Sequence, residues 1–387
     1  MCRAVPIVVV AFNRPKSLDR LLKSLDQAIY DRNDVPLIIS IDKGDNQEVL
    51  NVANKYRWKY GKKIVIYQKE NLKLRRHILK CGDYALEYGS IIILEDDLYV
   101  SPYFYDYAVK ALSFSDRSDR IGGVSLYNHR YNMIASEPFE PMDDKFDNWY
   151  FQFASSWGEA WTKKQWQAFI TWYNMNPEIE KMANLPQYVK NWPSSSWLKY
   201  FIAYLIDKDK YFIYPKKSLS TNFGDAGTHV NSSNTNFQVP LQQAKIDYSF
   251  SDLKQSSCIY DAYFENVELR NIVAGKVTAV DLYGQKICMK SMGVDYILTR
   301  KELPYKIIKC FGCFMRPHDS NIFQDISGND FYLYDINESA SPSIKKSAIR
   351  KVQYNLRYID HSQYLAITLM FIGKTLNGIK RRLKMNR

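Results

Sequence analysis

The sequence predicts an α/β fold with a mixed, mainly parallel sheet flanked by helices, followed by an accessory region and a basic helical tail. Short apolar segments rich in β-branched residues alternate with segments of helical periodicity between residues 6 and 126, a pattern typical of right-handed βαβ units. Two of these strands end in carboxylates. Because open α/β sheets bind ligands at the carboxyl ends of their strands, these acidic residues mark a candidate site.

Buried strands are predicted where apolar and β-branched residues run together, and helices where apolar residues recur every three or four positions. The predicted strands cover residues 6–12, 36–42, 63–67, 91–94, 121–126 and 211–215, and the predicted helices cover residues 17–25, 48–60, 72–88 and 103–114 and the later part of 191–207. In a parallel sheet the acidic ends at Asp42 and Glu95 should lie at the same edge.

The strand over residues 91–94 leads directly into Glu95, Asp96 and Asp97. Three carboxylates do not stay together unpaired, because like charges in a partly dry site repel each other. A divalent cation with oxygen ligands would neutralise them. The alternative is that Glu95 and Asp96 only cap the next helix.

A nucleotide would have to be held here by side chains and a metal, since neither GxxxxGK[ST] nor GxGxxG follows the first strand. Asn13 and Arg14 at the end of that strand, and Arg75 and Arg76 on the helix before the acidic strand, are candidate contacts for phosphate and base. The alternative for the two helical arginines is a solvated helix face.

Two later segments carry further candidates. Glu159 lies between Trp157 and Trp161 in what we predict to be a loop entering a helix, where partial desolvation would raise its pKa, as suits a general base. The alternative is a first-turn Glu favoured by the helix dipole. The polar loop 219–229 ends in His229, either a metal or phosphate ligand in a loop that folds over substrate or a surface histidine.

Most of the net charge of +12 lies at the end of the chain, because eleven Lys and Arg but only one acid follow residue 340. The nearly neutral remainder excludes a broadly basic nucleic-acid-binding protein, and we expect no nucleic-acid partner. The six cysteines are scattered and indicate no disulfide framework.

Residues 343–387 form a predicted helical tail in which apolar residues interleave with Lys and Arg. Its apolar stretch is too short to span a bilayer. A basic amphipathic helix suits an anionic membrane surface; the alternative is a helix packed on the body. With a start that leads straight into a strand, we expect a cytoplasmic protein, peripheral on the inner face of the cytoplasmic membrane if the tail docks there.

These motifs, in this order, resemble glycosyltransferases of the GT-A (Rossmann-like) fold, most closely the N-acetylglucosaminyltransferase I family and its bacterial relatives. The segments that carry the resemblance are Pro-Ile-Val-Val-Val-Ala-Phe-Asn-Arg-Pro (6–15), Ile-Ser-Ile-Asp (39–42), Leu-Glu-Asp-Asp-Leu (94–98), Ser-Trp-Gly-Glu-Ala-Trp (156–161) and Asn-Phe-Gly-Asp-Ala-Gly-Thr-His (222–229). The resemblance predicts a GT-A domain over residues 1–240, an accessory region over 241–342 and the tail over 343–387.

The resemblance implies inverting transfer of a hexose or N-acetylhexosamine from a nucleotide sugar, a UDP sugar by preference, to a glycan or lipid-linked acceptor in surface polysaccharide synthesis. It implies Mn²⁺ (or Mg²⁺) bound directly by Asp97, with Glu95 and Asp96 holding the donor's sugar and ribose. The residues that would line the nucleotide are Ala11, Phe12, Asn13, Arg14, Asp42 and Arg76.

One departure from the family concerns the catalytic base, which the family places as an Asp directly after a Trp. Here Trp197 is followed by Leu198 and Lys199. Either Glu159, which we favour, or Asp207 takes the role, or the chain is impaired. A non-catalytic sugar-binding or assembly protein with a degenerate donor site therefore stays an alternative. So does a sugar nucleotidyltransferase, although that class would need a Gly-rich basic loop after the first strand.

Overall fold

The computed structural model describes the chain except for residues 1–2, 183–184, 226–236, 287–292, 342–347, 357–358 and 386–387. Its first part contains, in order, β1 (Ile7–Ala11), α1 (Pro15–Asp26), β2 (Leu37–Ile41), α2 (Gln47–Lys55), β3 (Lys63–Tyr67), α3 (Lys73–Gly82), α4 (Tyr84–Tyr88), β4 (Ser90–Glu95), β5 (Leu98–Val100), α5 (Phe104–Ser115) and β6 (Ile121–Ser125). The helix predicted over residues 72–88 is thus two helices that meet at Asp83.

The middle and last parts are more irregular. They contain β7 (Tyr131–Asn132), β8 (Glu137–Pro138), β9 (Asn148–Phe151), β10 (Glu159–Thr162), α6 (Lys163–Met175), α7 (Gln187–Lys190), α8 (Trp197–Asp207), β11 (Tyr211–Pro215), β12 (Ser220–Asn222), β13 (Ile259–Tyr260), β14 (Thr278–Asp281), β15 (Tyr296–Thr299), β16 (Tyr305–Phe311), α9 (His318–Phe323), β17 (Phe331–Ser339), α10 (Ala348–Asn355) and α11 (His361–Met385).

A nine-stranded sheet in the order β13-β9-β11-β6-β10-β4-β1-β2-β3 forms the centre of the molecule. β4, β1, β2 and β3 are parallel neighbours, whereas β10 lies antiparallel between β4 and β6. Helices cover both faces, and alternate residues of each central strand enter two different cores: Ile7 and Val9 one, Val8 and Val10 the other. The predicted mixed, mainly parallel sheet flanked by helices is confirmed, and burial on both faces explains its continuous apolar strands.

The register of the parallel strands brings their carboxyl ends together. Ala11 pairs with Ile41, and Val10 pairs with Glu95. The residues that follow β1, β2 and β4 therefore meet at one edge of the sheet. β5, which begins directly after Asp97, pairs antiparallel with β12 and brings residues 220–222 to the same edge.

A smaller four-stranded sheet, β14-β15-β17-β16, follows the large one. The predicted boundary at residue 240 does not separate the two sheets, because β13 pairs with β9 in the large sheet. Tyr248 and Phe250 also pack their rings against Tyr107 of α5. The segment after residue 240 thus completes the first sheet before the chain enters the second.

The first half of the last helix, α11, exposes most of its apolar side chains. Leu365 is 69% and Phe371 is 71% exposed, and Leu369, Met370 and Ile372 are exposed as well. In the described residues, no helix is long and apolar enough to cross a membrane. Apolar surface of this kind on a basic helix calls for a partner.

Candidate active site

A cavity of about 680 Å³ opens at the edge where β1, β2 and β4 end. Predicted site residues that line it are Ala11, Phe12, Asn13, Arg14, Asp42, Glu95, Asp96 and Asp97. Further lining residues are Val10, Asn71, Lys73, Leu74, His77, Trp157, Ser195, Asn222, Gly224, Asp225 and Phe237. A volume of this size is within the range of small-molecule sites in proteins. The structure thus brings together eight of the predicted residues from three strand ends.

Arg14 joins two of the three carboxylates. Its Nη1 donates to Oδ2 of Asp97 at 2.9 Å, and its Nη2 pairs with Oδ1 of Asp96. Burial alone would lower the pKa of Arg14, but the negative charges of Asp96 and Asp97 outweigh it and raise that pKa. The guanidinium therefore stays charged and compensates much of the acidic cluster.

Burial sets the protonation of the cluster. It raises the pKa of Glu95 to about 8, with the charge of Asp97 adding to the shift and Arg14 opposing it. Burial also raises the pKa of Asp96 to about 6, against the effect of Arg14. Glu95 therefore keeps its proton to a higher pH than a free carboxyl group does, which reduces the negative charge of the cluster.

Asp42 fixes the turn between β3 and α3, which lies at the cavity. Its Oδ1 accepts from the backbone N–H of Leu72 at 2.8 Å, and its Oδ2 accepts from that of Lys73 at 2.9 Å. This turn presents Asn71 and Lys73 to the cavity. Sequence reasoning missed both residues, although they lie between the end of β3 and the first turn of α3, near the carboxyl ends of the parallel strands.

Arg76 does not reach the cavity, which corrects its predicted role. Its side chain is 65% exposed and pairs with Glu70 at 3.1 Å. The residues of α3 that line the cavity are Lys73, Leu74 and His77. Lys73 and Leu74 precede His77 by four and three positions, which places both on its side of the helix. Burial lowers the pKa of His77 to about 4, so this histidine is neutral.

The far wall of the cavity is formed by residues distant in sequence. Trp157 packs against Phe237 with ring centroids 4.7 Å apart. Asp225 accepts a hydrogen bond from Ser17 Oγ at 2.7 Å and pairs with Arg20, which holds the segment after β12 on α1. The predicted ligand His229 lies outside the described residues.

Glu159 occupies a strand, so the prediction of a loop entering a helix is wrong at this position. It is the first residue of β10, pairs with Ile93 and Ser125, and is fully buried. Among the residues that the structure describes, neither carboxylate oxygen has a hydrogen-bond partner, and Glu159 does not line the cavity. Burial, with a contribution from nearby Glu95, raises the pKa of Glu159 well above its usual range.

Asp207, the other candidate base, also lies away from the cavity. It ends α8, about 15 Å along the helix axis from Trp197, and its Oδ2 accepts from Trp172 Nε1 at 2.8 Å. It borders a shallow groove of about 790 Å³ to which Trp172 and Lys208 contribute. Glu159 and Asp207 were proposed as bases from the residues that surround them in sequence. Such local patterns do not determine whether a side chain faces the cavity.

Replacing Glu159 by Gln should preserve turnover, because a buried protonated carboxyl group and an amide are similar in size and charge. The substitution should also change the pH dependence of stability. Burial raises the folded pKa of Glu159 above its unfolded pKa. Wild type therefore loses stability as the pH rises from the unfolded towards the folded pKa, by at most about 1.4 kcal/mol per pH unit. Relative to wild type, the variant should therefore gain stability between pH 6 and pH 8. Denaturant unfolding at both pH values measures this, and loss of turnover would restore Glu159 as the base.

The carboxylates suit a divalent cation only in part. Oδ1 of Asp97 and Oδ2 of Asp96 are buried without a hydrogen-bond partner in the described chain, and such oxygens favour a hard cation. However, the described residues contain no group of three or more His, Cys, Asp and Glu that could hold a metal ion. A cation here would need further ligands from phosphate oxygens and water, as is common for Mg²⁺.

The GNT-I family model matches residues 1–138. A relative from Arabidopsis thaliana, alpha-1,3-mannosyl-glycoprotein 2-beta-N-acetylglucosaminyltransferase, is 25% identical over 264 residues, which cover 64% of this chain and 53% of the relative. The chain therefore spans about half the length of that relative.

Among solved structures, S. aureus TarS 1-349 in complex with UDP-GlcNAc matches 59% of this chain and 61% of its own, with 14% identity and a TM-score of 0.39. The mannosyltransferase PcManGT from Pyrobaculum calidifontis, in complex with GDP-Man and Mn²⁺, matches 42% of this chain and 46% of its own, with 12% identity and a TM-score of 0.32. Over its first 138 residues the chain is similar to the GNT-I family, which confirms the resemblance that the motifs indicated.

Proposed function

We propose that this protein is a metal-dependent, inverting glycosyltransferase that moves a sugar from a UDP sugar to a glycan or lipid-linked acceptor. The observation that carries the proposal is the cavity at the ends of β1, β2 and β4, which joins three carboxylates and an arginine in a space of about 680 Å³. Similarity to the GNT-I family over residues 1–138 supports the same activity.

In this proposal the turn after β3 and the acidic cluster bind different parts of the donor. The turn after β3, fixed by Asp42, holds the base and ribose. Glu95, which lines the cavity beside Asp96 and Asp97, hydrogen-bonds a hydroxyl of the transferred sugar. Asp97, through its free Oδ1, and Asp96 would hold Mn²⁺ or Mg²⁺, which when bound neutralises the departing diphosphate. Arg14 uses one N–H of each Nη atom to bind Asp96 and Asp97, and donates its remaining N–H groups to the same diphosphate.

The acceptor would enter along the wall formed by Trp157 and Phe237, whose rings suit the apolar face of a sugar. Its hydroxyl oxygen attacks the anomeric carbon, the bond to the diphosphate breaks, and a base takes the hydroxyl proton. Trp197 hydrogen-bonds Glu95, but Leu198 follows it instead of an acid. This observation favours one second candidate function, a sugar-binding protein whose donor site no longer turns over.

Screening UDP sugars and other nucleotide sugars for hydrolysis and transfer, with Mn²⁺ and with EDTA, tests the proposal. We expect Mn²⁺-dependent release of UDP from one donor, and acceleration by the correct acceptor. Calorimetry with UDP separates the two candidates. Binding of UDP without turnover of any donor would favour the sugar-binding protein, and absence of UDP binding would exclude both.

We further propose that α11 places the enzyme on an anionic membrane surface, where a lipid-linked acceptor for surface polysaccharide synthesis would be available. Leu365, Leu369 and Phe371 expose apolar surface, and basic residues follow at Lys374 and residues 380–384. Apolar and basic side chains on one helix match the acyl boundary and the headgroups of such a surface. Exposure along residues 362–372 does not support the alternative of a helix packed on the body.

A further inference from the structure

Arg14 lies next to the position that a cation bound by Asp96 and Asp97 would occupy. Its guanidinium bridges Oδ1 of Asp96 and Oδ2 of Asp97, and only 22% of its side chain is exposed. The backbone of Arg14 is fixed because the residue immediately precedes α1, whose first residue is Pro15. The fold therefore holds Arg14 in contact with Asp96 and Asp97 at the carboxyl edge of the sheet.

The bridge leaves each aspartate one free oxygen, Oδ2 of Asp96 and Oδ1 of Asp97. A divalent cation on these oxygens would lie beside the positive guanidinium, and like charges repel strongly in a partly dry site. Too few protein ligands are present among the described residues to offset this repulsion. A diphosphate removes both obstacles, because its oxygens ligate the cation and also accept the paired N–H groups of arginine.

We infer that Arg14 makes cation binding conditional on the nucleotide, so that Asp96 and Asp97 bind a divalent cation weakly alone and tightly together with a nucleoside diphosphate. The inference rests on the proposed function, since the diphosphate is the second ligand. It also predicts that cation and nucleotide favour each other's binding by the same factor. Without a donor, Arg14 compensates the carboxylates in place of a metal.

Mn²⁺ binding, measured from the electron paramagnetic resonance signal of free Mn²⁺, tests this in wild type and Arg14→Gln, each with and without saturating UDP. Without UDP, Arg14→Gln should bind Mn²⁺ more tightly than wild type by about tenfold or more, and UDP should increase its Mn²⁺ affinity by a smaller factor. Arg76→Gln is the matched control. It removes the same charge, but Arg76 is 65% exposed and pairs with Glu70 away from the cavity, so its nucleotide-free Mn²⁺ affinity should equal that of wild type.

Thermal unfolding gives a second readout, since Mn²⁺ alone should stabilise Arg14→Gln more than wild type. Equal nucleotide-free affinities in wild type and Arg14→Gln would overturn the inference, and so would an equal gain in Arg76→Gln, which would show an effect of net charge alone. If Mn²⁺ bound to wild type only with UDP while Arg14→Gln behaved identically, the proposed function would stand and the inference would fall. If Mn²⁺ bound to neither protein under any condition, both would fall. If Arg14→Gln did not fold, Arg14→Lys would replace it, with a smaller expected gain because one ammonium group lacks the fork of arginine.

Discussion

Replacing Asp97 by Asn should reduce the rate of sugar transfer by about 10²–10³-fold, the range found when one preorganised electrostatic contact to a transition state is removed. Asp97 supplies the free, buried Oδ1 at the end of β4, and an amide oxygen there would bind a divalent cation far more weakly than a carboxylate. Steady-state kinetics with the donor identified by screening, over a range of Mn²⁺ concentrations, measure the effect. Higher Mn²⁺ should recover part of the loss.

Asp207→Asn is the matched control for this experiment. The substitution removes the same charge, but Asp207 lies at the far end of α8 beside Trp172. We expect it to keep the wild-type rate, and Asp97→Asn to unfold at a temperature close to that of wild type. Full activity in Asp97→Asn would exclude the acidic cluster as the site of chemistry. A large loss in Asp207→Asn would instead return that residue to the list of candidate bases.

Removing α11 should abolish binding to anionic vesicles. A variant that ends at Asp360 is the appropriate truncation, because Tyr354 of α10 is buried and donates its hydroxyl to Met315 O at 2.8 Å. Flotation with vesicles of phosphatidylglycerol and phosphatidylcholine measures binding. At about 1 kcal/mol per basic residue near the surface, neutralising the four basic residues within 380–384 should weaken partitioning by roughly 10²–10³-fold.

Two controls separate the contributions to membrane binding. Vesicles of pure phosphatidylcholine, or high salt, should release the full-length chain, since surface electrostatics are screened. Replacing exposed Leu365, Leu369 and Phe371 by Ser should weaken binding without affecting folding, because these side chains make little contact with the body. Equal flotation of the full-length and shortened chains would show that α11 has another role.

The sequence predicted the central sheet well because its strands are buried on both faces. Residues 211–215 match the fully buried strand β11 to the residue. Residues 63–67 also match β3, although this strand lies at the edge of the sheet and is only partly buried. The predicted position of the acidic cluster at the carboxyl edge of the sheet followed from the strand that precedes it. Its role as a metal site stays a prediction. Local patterns were sufficient for these strands, because an apolar run rich in β-branched and aromatic residues indicates a strand whichever strands it later pairs with.

Long-range pairing accounts for the errors. β10 enters between β4 and β6 from a distant part of the chain, and nothing in residues 156–166 indicates that Glu159 would be drawn into the sheet. Arg76 was misplaced because adjacent arginines on a helix point in different directions, and the sequence does not define which direction faces the cavity. The bridge from Arg14 to Asp96 and Asp97 was missed because it depends on side-chain conformation across two strand ends.

The two walls of the cavity come from separate stretches of the chain. The wall assigned to the nucleotide is complete by Asp97, whereas Trp157, Asn222 and Phe237 form the other and join it through the pairing of β12 with β5. Residues after Asp97 can therefore change without altering the part of the cavity that is assigned to the nucleotide. A chimera that exchanges everything after β6 between two such proteins would be expected to inherit its donor from one parent and its acceptor from the other.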